Sequence, residues 1–257
     1  MKSIVKKLRR YKKPVSCFAL LLAAAAIFWT VSSPRIVGVS ATSRKLPIYN
    51  VQKDEKVVSL TFDAAWGNED TQQLIDTFEE YGVKATFFVV GEWVDKYPES
   101  VKALHDAGHE VMNHSNDHAH FNSLSAEQIK RNVNDCNDKV EAVTGVRPIL
   151  FRPPYGEYND NVVQSLTDIG MYTIQWDVDS LDWKDLSAQE IKTRVMNGVK
   201  NGSIVLFHNA AKNTPEALPL ILRALQEQGY SAVPVSELIY KDDYEMDHTG
   251  MQCRQKK

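Results

Sequence analysis

Seven side chains in this sequence stand at spacings that could do chemistry. His114 and His118 are four apart, Asp63 and His208 each end an apolar run, Arg152 precedes two prolines, and Asp179 and Asp182 bracket a short loop. Two neutral imidazoles at i and i+4 fall on one side of a helical turn and can share a divalent ion. Taken singly, each element has a plainer reading. Such a histidine pair is more often a solvated helix face, and an aspartate after a strand is more often a turn or cap residue. Joined by a carboxylate, an arginine and a third histidine on one face, the metal reading becomes the better one.

The elements that must position these residues follow one rhythm from Lys53 onward: a short apolar strand, a polar loop, then an amphipathic helix ending near glycine. Strands are expected at Val57–Phe62, Ala85–Val90, Glu110–Met112, Ile149–Arg152, Tyr172–Trp176 and Ser203–Phe207, with a seventh at Ser231–Val233. Helices are expected from Thr71 to Tyr81, from Pro98 to Ala107, and from about Thr214 to Gly229. Two more start at the capping boxes Ser125 to Gln128 and Ser187 to Glu190. Alternation of this kind implies parallel strands with right-handed crossovers, hence a doubly wound sheet or a barrel, which the pattern does not separate. The chemically distinctive residues all follow strands. Parallel strands point their C-terminal ends at one face, where such folds build active sites.

The N-terminus reads as an export signal. Lys2, Lys6, Lys7, Arg9, Arg10, Lys12 and Lys13 precede an apolar run from Val15 to Val31, and the basic flank stays cytoplasmic by the positive-inside rule. The expected organisation is a basic cytoplasmic segment (1–14), a signal-anchor transmembrane helix (15–33), a linker (34–52), the main domain (53–240) and a polar tail (241–257) expected to be a mobile end. That places the domain outside the cytoplasmic membrane in a single-pass protein. The alternative is secretion after cleavage near Ala41. Setting those seven cations aside from the net charge of −3 leaves about −10 on the remainder, which excludes a basic nucleic-acid footprint. Cys136 and Cys253 show no zinc-ribbon spacing; Cys136 is expected as a packed or half-exposed thiol, with a disulfide to Cys253 left open.

Thr61-Phe62-Asp63, His114-Ser115-Asn116-Asp117-His118, Arg152-Pro153-Pro154-Tyr155-Gly156, Asp179-Ser180-Leu181-Asp182-Trp183 and Leu206-Phe207-His208 resemble, in order and spacing, the five motifs of the NodB-homology polysaccharide deacetylases, carbohydrate esterase family four. The resemblance covers roughly Lys53 to Tyr240. It implies an α/β fold, a distorted (β/α) barrel of about seven strand-helix units, here preceded by one N-terminal membrane-spanning helix. It implies metal-dependent removal of N-acetyl groups from a polysaccharide, peptidoglycan or a chitooligosaccharide-like chain. Carried over, Asp63 is the general base, His114 and His118 hold zinc, cobalt or manganese, and Arg152 orients Asp63. His208 is the general acid, with Asp182 behind it. The Tyr155 N–H serves the oxyanion, and Trp183 and Leu206 line the groove. His109 and His120 match no motif and are expected as core or surface histidines, while Asp117 could contribute to the site.

One position departs from the family. Its first motif carries two consecutive aspartates, base then ligand, and here the second is Ala64. A methyl group ligates nothing, so weaker or differently organised metal binding is expected. Thr-Phe-Asp-x-x-Trp-Gly also resembles a sporulation-associated subgroup of these deacetylases. The competing reading is a glycan-binding or scaffold protein that uses the same groove without catalysis.

Overall fold

The computed structural model describes residues 44–255. The expected basic segment and anchor lie outside the described residues. No helix among the described residues is long and apolar enough to cross a membrane.

After a short strand β1 (Asn50–Val51), the chain builds a parallel sheet from β2 (Val57–Ala64), β3 (Thr86–Val89), β4 (Glu110–Asn113), β5 (Leu150–Phe151), β6 (Tyr172–Thr173), β7 (Val178–Asp179) and β8 (Ile204–His208). Their spatial order is β6-β5-β4-β3-β2-β8-β7. Helices α1 (Thr71–Glu80), α2 (Gly91–Lys96), α3 (Pro98–Asp106), α4 (Ala126–Thr144), α5 (Asp160–Thr167), α6 (Ala188–Gly198), α7 (Thr214–Glu227) and α8 (Val235–Leu238) complete the α/β pattern. Both expected capping boxes form, Ser125 with Gln128 and Ser187 with Glu190.

The sheet must curl. Its two outer strands, β6 and β7, are joined by only residues 174–177. Five Cα steps reach at most about 18 Å, whereas seven strands laid flat at about 4.8 Å spacing are roughly 29 Å wide. The result is an incomplete barrel whose edges face each other across a gap. Residues 48–51 fill it: Ile48 bridges Ile174, Asn50 bridges Ser203, and Val51 donates to the Gly202 carbonyl at 2.9 Å. Gly202 has φ 79°, and a Cβ there would lie 1.6 Å from the Val51 oxygen, so only glycine admits this closure. The end of the expected linker is therefore part of the domain.

Alternation along the strands separates two faces. Val58, Leu60, Phe62 and Ala64 of β2 face the helices, where Phe62 stacks on Phe87 and Phe207 with centroids 4.9 and 5.2 Å away. Ser59, Thr61 and Asp63 take the other face, and Thr61 Oγ1 donates to the Val205 carbonyl at 2.6 Å. The inner core is smaller and includes Phe88, Met112, Leu150, Ile174 and Ile204.

Two expectations need correction. The strand expected at Ser231–Val233 forms as β9 (Ser231–Ala232) and pairs with Val57 and Val58 of β2, but the strand at the outer edge of the main sheet, β7 at Val178–Asp179, was not expected. Two residues in an acidic loop carry no strand periodicity, which hides β7 from a pattern reading. The tail is not a mobile end: β10 (Tyr244–Met246) and β11 (Met251–Arg254) pair antiparallel, and β11 joins β1 in parallel. Gln252 is fully buried there, and its amide accepts from the Tyr240 N–H at 2.8 Å and donates to the Tyr240 carbonyl at 2.7 Å. A polar side chain used as a surrogate backbone leaves no apolar signal. Gln252→Ala strands both backbone groups and is expected to cost about 1–3 kcal/mol, read as a lower midpoint in urea denaturation.

Candidate active site

Parallel register brings the first two groups together. Asp63 is the penultimate residue of β2 and His208 ends β8, and the two are paired Cα partners. Both occupy inward positions, as does Leu206 one pleat earlier. Asp63 is then fixed by Arg152, which leaves β5 at the same end of the sheet: Arg152 Nη1 donates to Asp63 Oδ1 at 2.8 Å. Arg152 is 0% exposed. Its Nη2 donates to the Gln175 carbonyl at 3.1 Å, and its guanidinium lies 4.2 Å from the Phe88 ring centroid. Burial alone would raise the Asp63 carboxyl, but His114, Arg152 and His208 oppose it and hold it below the usual carboxylate range. Asp63 is an ionised carboxylate with one oxygen, Oδ2, turned away from Arg152 and 3.5 Å from His114 Nε2.

His114 and His118 do meet, with ring centroids 5.0 Å apart. The helical turn expected between them is absent. The segment is a loop in which Ser115 and His118 take positive φ, 76° and 55°. Asn113 forces this path: its buried amide donates to the Val133 carbonyl and to Asn137 Oδ1, and its Oδ1 accepts from the Ser115 N–H at 2.7 Å. The N-terminus of α2 clasps the same loop, Gly91 and Glu92 donating to the carbonyls of Ser115 and Asn116. A Cβ on Gly91 would lie 2.5 Å from Asn116 Oδ1. His114 Nδ1 bonds the Arg152 carbonyl at 2.8 Å, which leaves Nε2 facing Asp63. Burial lowers both rings, His118 to about 4, so both are neutral at neutral pH.

The opposite wall carries His208. His208 Nδ1 bonds Asp182 Oδ1 at 2.8 Å, and Asp182 Oδ2 accepts from the His208 backbone N–H and from Thr214 Oγ1, each at 2.8 Å. Asp182 thus uses both oxygens to fix one ring. Burial would lower His208, but the Asp182 hydrogen bond and charge win and raise it above its ordinary value.

Asp63, His114, His118, Tyr155, Trp183, Leu206 and His208 line one cleft of about 460 Å³, together with Trp66, Gly156, Trp176 and Asp179. Arg152 and Asp182 stand behind this lining as buried supports. Tyr155 has φ 59°, a strained backbone for a non-glycine residue and one that gathers at functional sites. Its ring packs between His118 and His120, the latter stacked at 4.4 Å. His120, expected as a plain surface histidine, is thus exposed but braces a cleft residue, and it pairs with Glu157 at 3.0 Å. His109 is buried against Phe78 and Phe87 and lowered to about 4 by burial. Asp117 turns away to accept from Asn132 Nδ2 at 2.7 Å, so it adds no ligand. Cys136 and Cys253 are both free. Asn113, Asn209 and Thr214 escaped the sequence reading as site residues; Trp66 stood within the Thr-Phe-Asp-x-x-Trp-Gly motif but was given no role.

The metal set implied by the resemblance is incomplete. Among the described residues no three His, Cys, Asp or Glu side chains group to hold an ion. His114 and His118 are suitable neutral donors, but Ala64 is 1% exposed, packs in the helix-side core and does not line the cleft. The residues present do not make up a two-histidine, one-carboxylate site.

The chain is similar to several known proteins. A family model described as Polysaccharide deacetylase matches residues 50–174. The chain is 39% identical to the peptidoglycan-N-acetylmuramic acid deacetylase PdaC of Bacillus subtilis, over 73% of this chain but only 40% of PdaC. It is 35% identical to a peptidoglycan-N-acetylglucosamine deacetylase of Bacillus cereus, over 74% of this chain and 92% of that protein. A crystal structure of a CE4 family pseudoenzyme from Bacillus anthracis superposes with a TM-score of 0.73 at 34% identity, covering 82% of this chain and 73% of that one. With five motifs at the strand ends of one curled parallel sheet, the chain belongs to the polysaccharide deacetylase family, the NodB-homology or CE4 group.

The His208 pair makes a pH prediction. A folded-state value above the unfolded value of about 6.5 means that the pair's stabilisation is complete below that pH and is lost as pH rises through the folded value. In Asp182→Asn the largest contributions opposing burial are lost and only the charges of Asp63 and Asp179 remain to raise the ring, so it is expected to titrate lower than in wild type. The imidazole C–H shifts followed by NMR against pH measure both.

Proposed function

We propose that the chain hydrolyses the N-acetyl groups of peptidoglycan amino sugars. The observation that carries this is the pairing of an ionised Asp63 with a protonatable His208 across β2 and β8, each locked by its own buried partner, Arg152 and Asp182. Peptidoglycan as substrate is supported by the names of the relatives PdaC and the B. cereus deacetylase.

In this reading a sugar acetamide enters the cleft with its carbonyl carbon near Asp63. Oδ2, the oxygen not spent on Arg152, takes a proton from the attacking water as the new C–O bond forms. The Tyr155 N–H stabilises the charge that develops on the carbonyl oxygen. His208 delivers its Nε2 proton to the amine nitrogen as the C–N bond breaks, and acetate leaves. Asp182 keeps that ring oriented and charged until transfer. Trp183, 57% exposed, and Leu206 form walls for the sugar and the acetyl methyl. The basic flank and apolar run extend the proposal to a domain tethered outside the cytoplasmic membrane, and the first motif extends it to peptidoglycan laid down in sporulation.

A second reading, a glycan-binding protein that does not turn over, is favoured by Ala64 and by the likeness to the B. anthracis pseudoenzyme. Acetate release from peptidoglycan and from chitooligosaccharides separates the two. Under the hydrolytic reading Asp63→Asn is expected to lower release by about 10²–10⁴-fold with unchanged thermal unfolding. Wild type and variant releasing none alike would leave the binding reading standing.

Position 64 can be tested apart from turnover. Ala64→Asp buries a carboxylate among apolar side chains, expected to cost on the order of 3 kcal/mol in chelator. If it reaches the imidazoles of His114 and His118, zinc or cobalt restores that stability by binding the folded state alone. The expected outcome in thermal shift assays is a larger metal-dependent rise in Tm for the variant than for wild type.

A further inference from the structure

Trp66 has no part in the chemistry above, yet its indole stands in the cleft with 57% of its surface exposed. It lies between the two histidine walls, its ring centroid 6.1 Å from both His118 and His208. Large exposed indoles are uncommon away from binding surfaces, because an apolar ring left in water forgoes its burial energy.

The segment that carries it is held on both sides. Asn209, next to His208, accepts from the Ala65 N–H at 3.1 Å and donates to the Gly67 carbonyl, and its own N–H donates to the Asp63 carbonyl at 3.1 Å. Trp93 Nε1 donates to that same Gly67 carbonyl at 2.9 Å. Two hydrogen bonds from one buried amide thus bracket residue 66, and they tie its backbone to the strand end that bears Asp63. A loop pinned in this way presents its side chain at small entropic cost on binding.

Trp183 and Tyr155 are the other exposed aromatics that line the cleft. A pyranose whose ring substituents are all equatorial offers flat C–H faces, which complement an indole plane. The 2-acetamido-glucopyranosides of a β-1,4-linked glycan have this shape. We propose that Trp66 is a specificity-determining residue that stacks on the ring of the sugar whose acetamide meets Asp63 and His208, and that Asn209 is the positioning residue that holds it there. The assignment rests on the glycan-directed reading of the cleft, but it requires only binding.

The test is isothermal titration of the full chain with chitotetraose, alongside acetate release from the same sugar. Trp66→Ala is expected to weaken binding about tenfold, the upper range for one aromatic stacking contact, and Trp66→Phe by less than threefold. Asn209→Ala is expected to weaken binding in the wild-type background and to have little further effect in Trp66→Ala, a non-additivity that a merely structural asparagine would not show. Equal affinity of wild type and Trp66→Ala would overturn the assignment even if acetate is released. Trp66-dependent binding without acetate release would keep the assignment and remove the hydrolytic reading. Wild type that does not bind the tetraose overturns the assignment.

Discussion

A guanidinium with no access to water organises this domain. Arg152 is held where an unpaired charge would be prohibitive, and its partners come from several parts of the sheet: Asp63 of β2, the Gln175 carbonyl after β6, and the Phe88 face of β3. Its backbone takes part too, the N–H bonded to Asn113 of β4 and the carbonyl to His114. One residue thereby ionises the carboxylate, sets the tautomer of a neighbouring imidazole and pins the strand ends. The site is a consequence of neutralising that charge, and the curled sheet supplies the dry interior in which the neutralisation has to be complete.

Much of this was legible in the chain. The strand-helix rhythm located six of the seven strands of the main sheet and most of the helices, because short apolar runs bounded by glycine and capping boxes are local signals. Asp63 and His208 could be placed on one face because parallel strands expose their C-terminal ends together, though their pairing across β2 and β8 came only from the strand order. What escaped was set by non-local or left-handed backbone. The approach of His114 and His118 depends on positive φ at Ser115 and His118, enforced by the buried Asn113 amide, and neither residue type announces it. β7 is too short to carry a period, and β11 is anchored by Gln252, whose burial contradicts its polarity.

The site also shows two levels of completeness. Asp63 and His208 are each held by buried partners, Arg152 behind Asp63 and Asp182 with Thr214 behind His208. The donor set for an ion stops at two imidazoles, one of them fixed through its far nitrogen. The His208–Asp182 pair stands on the wall opposite the two imidazoles, whereas Asp63 and Arg152 border them, and all of these contacts are made with Ala64 on the other face of β2. A methyl there is satisfied by the core behind β2 and asks nothing of the cleft.

The connection from Thr173 to Val178 joins strands at opposite edges of one sheet, and it carries Gln175 and Trp176. Surface loops ordinarily tolerate insertion because added residues cost little closure entropy. This one does not have that freedom. A longer strap would let the outer strands part, carry the Gln175 carbonyl off Arg152 and its amide off the Gly156 carbonyl, and move Trp176 from the cleft floor. The segment is a molecular ruler: its chain length sets the curvature of the sheet and the depth of the groove.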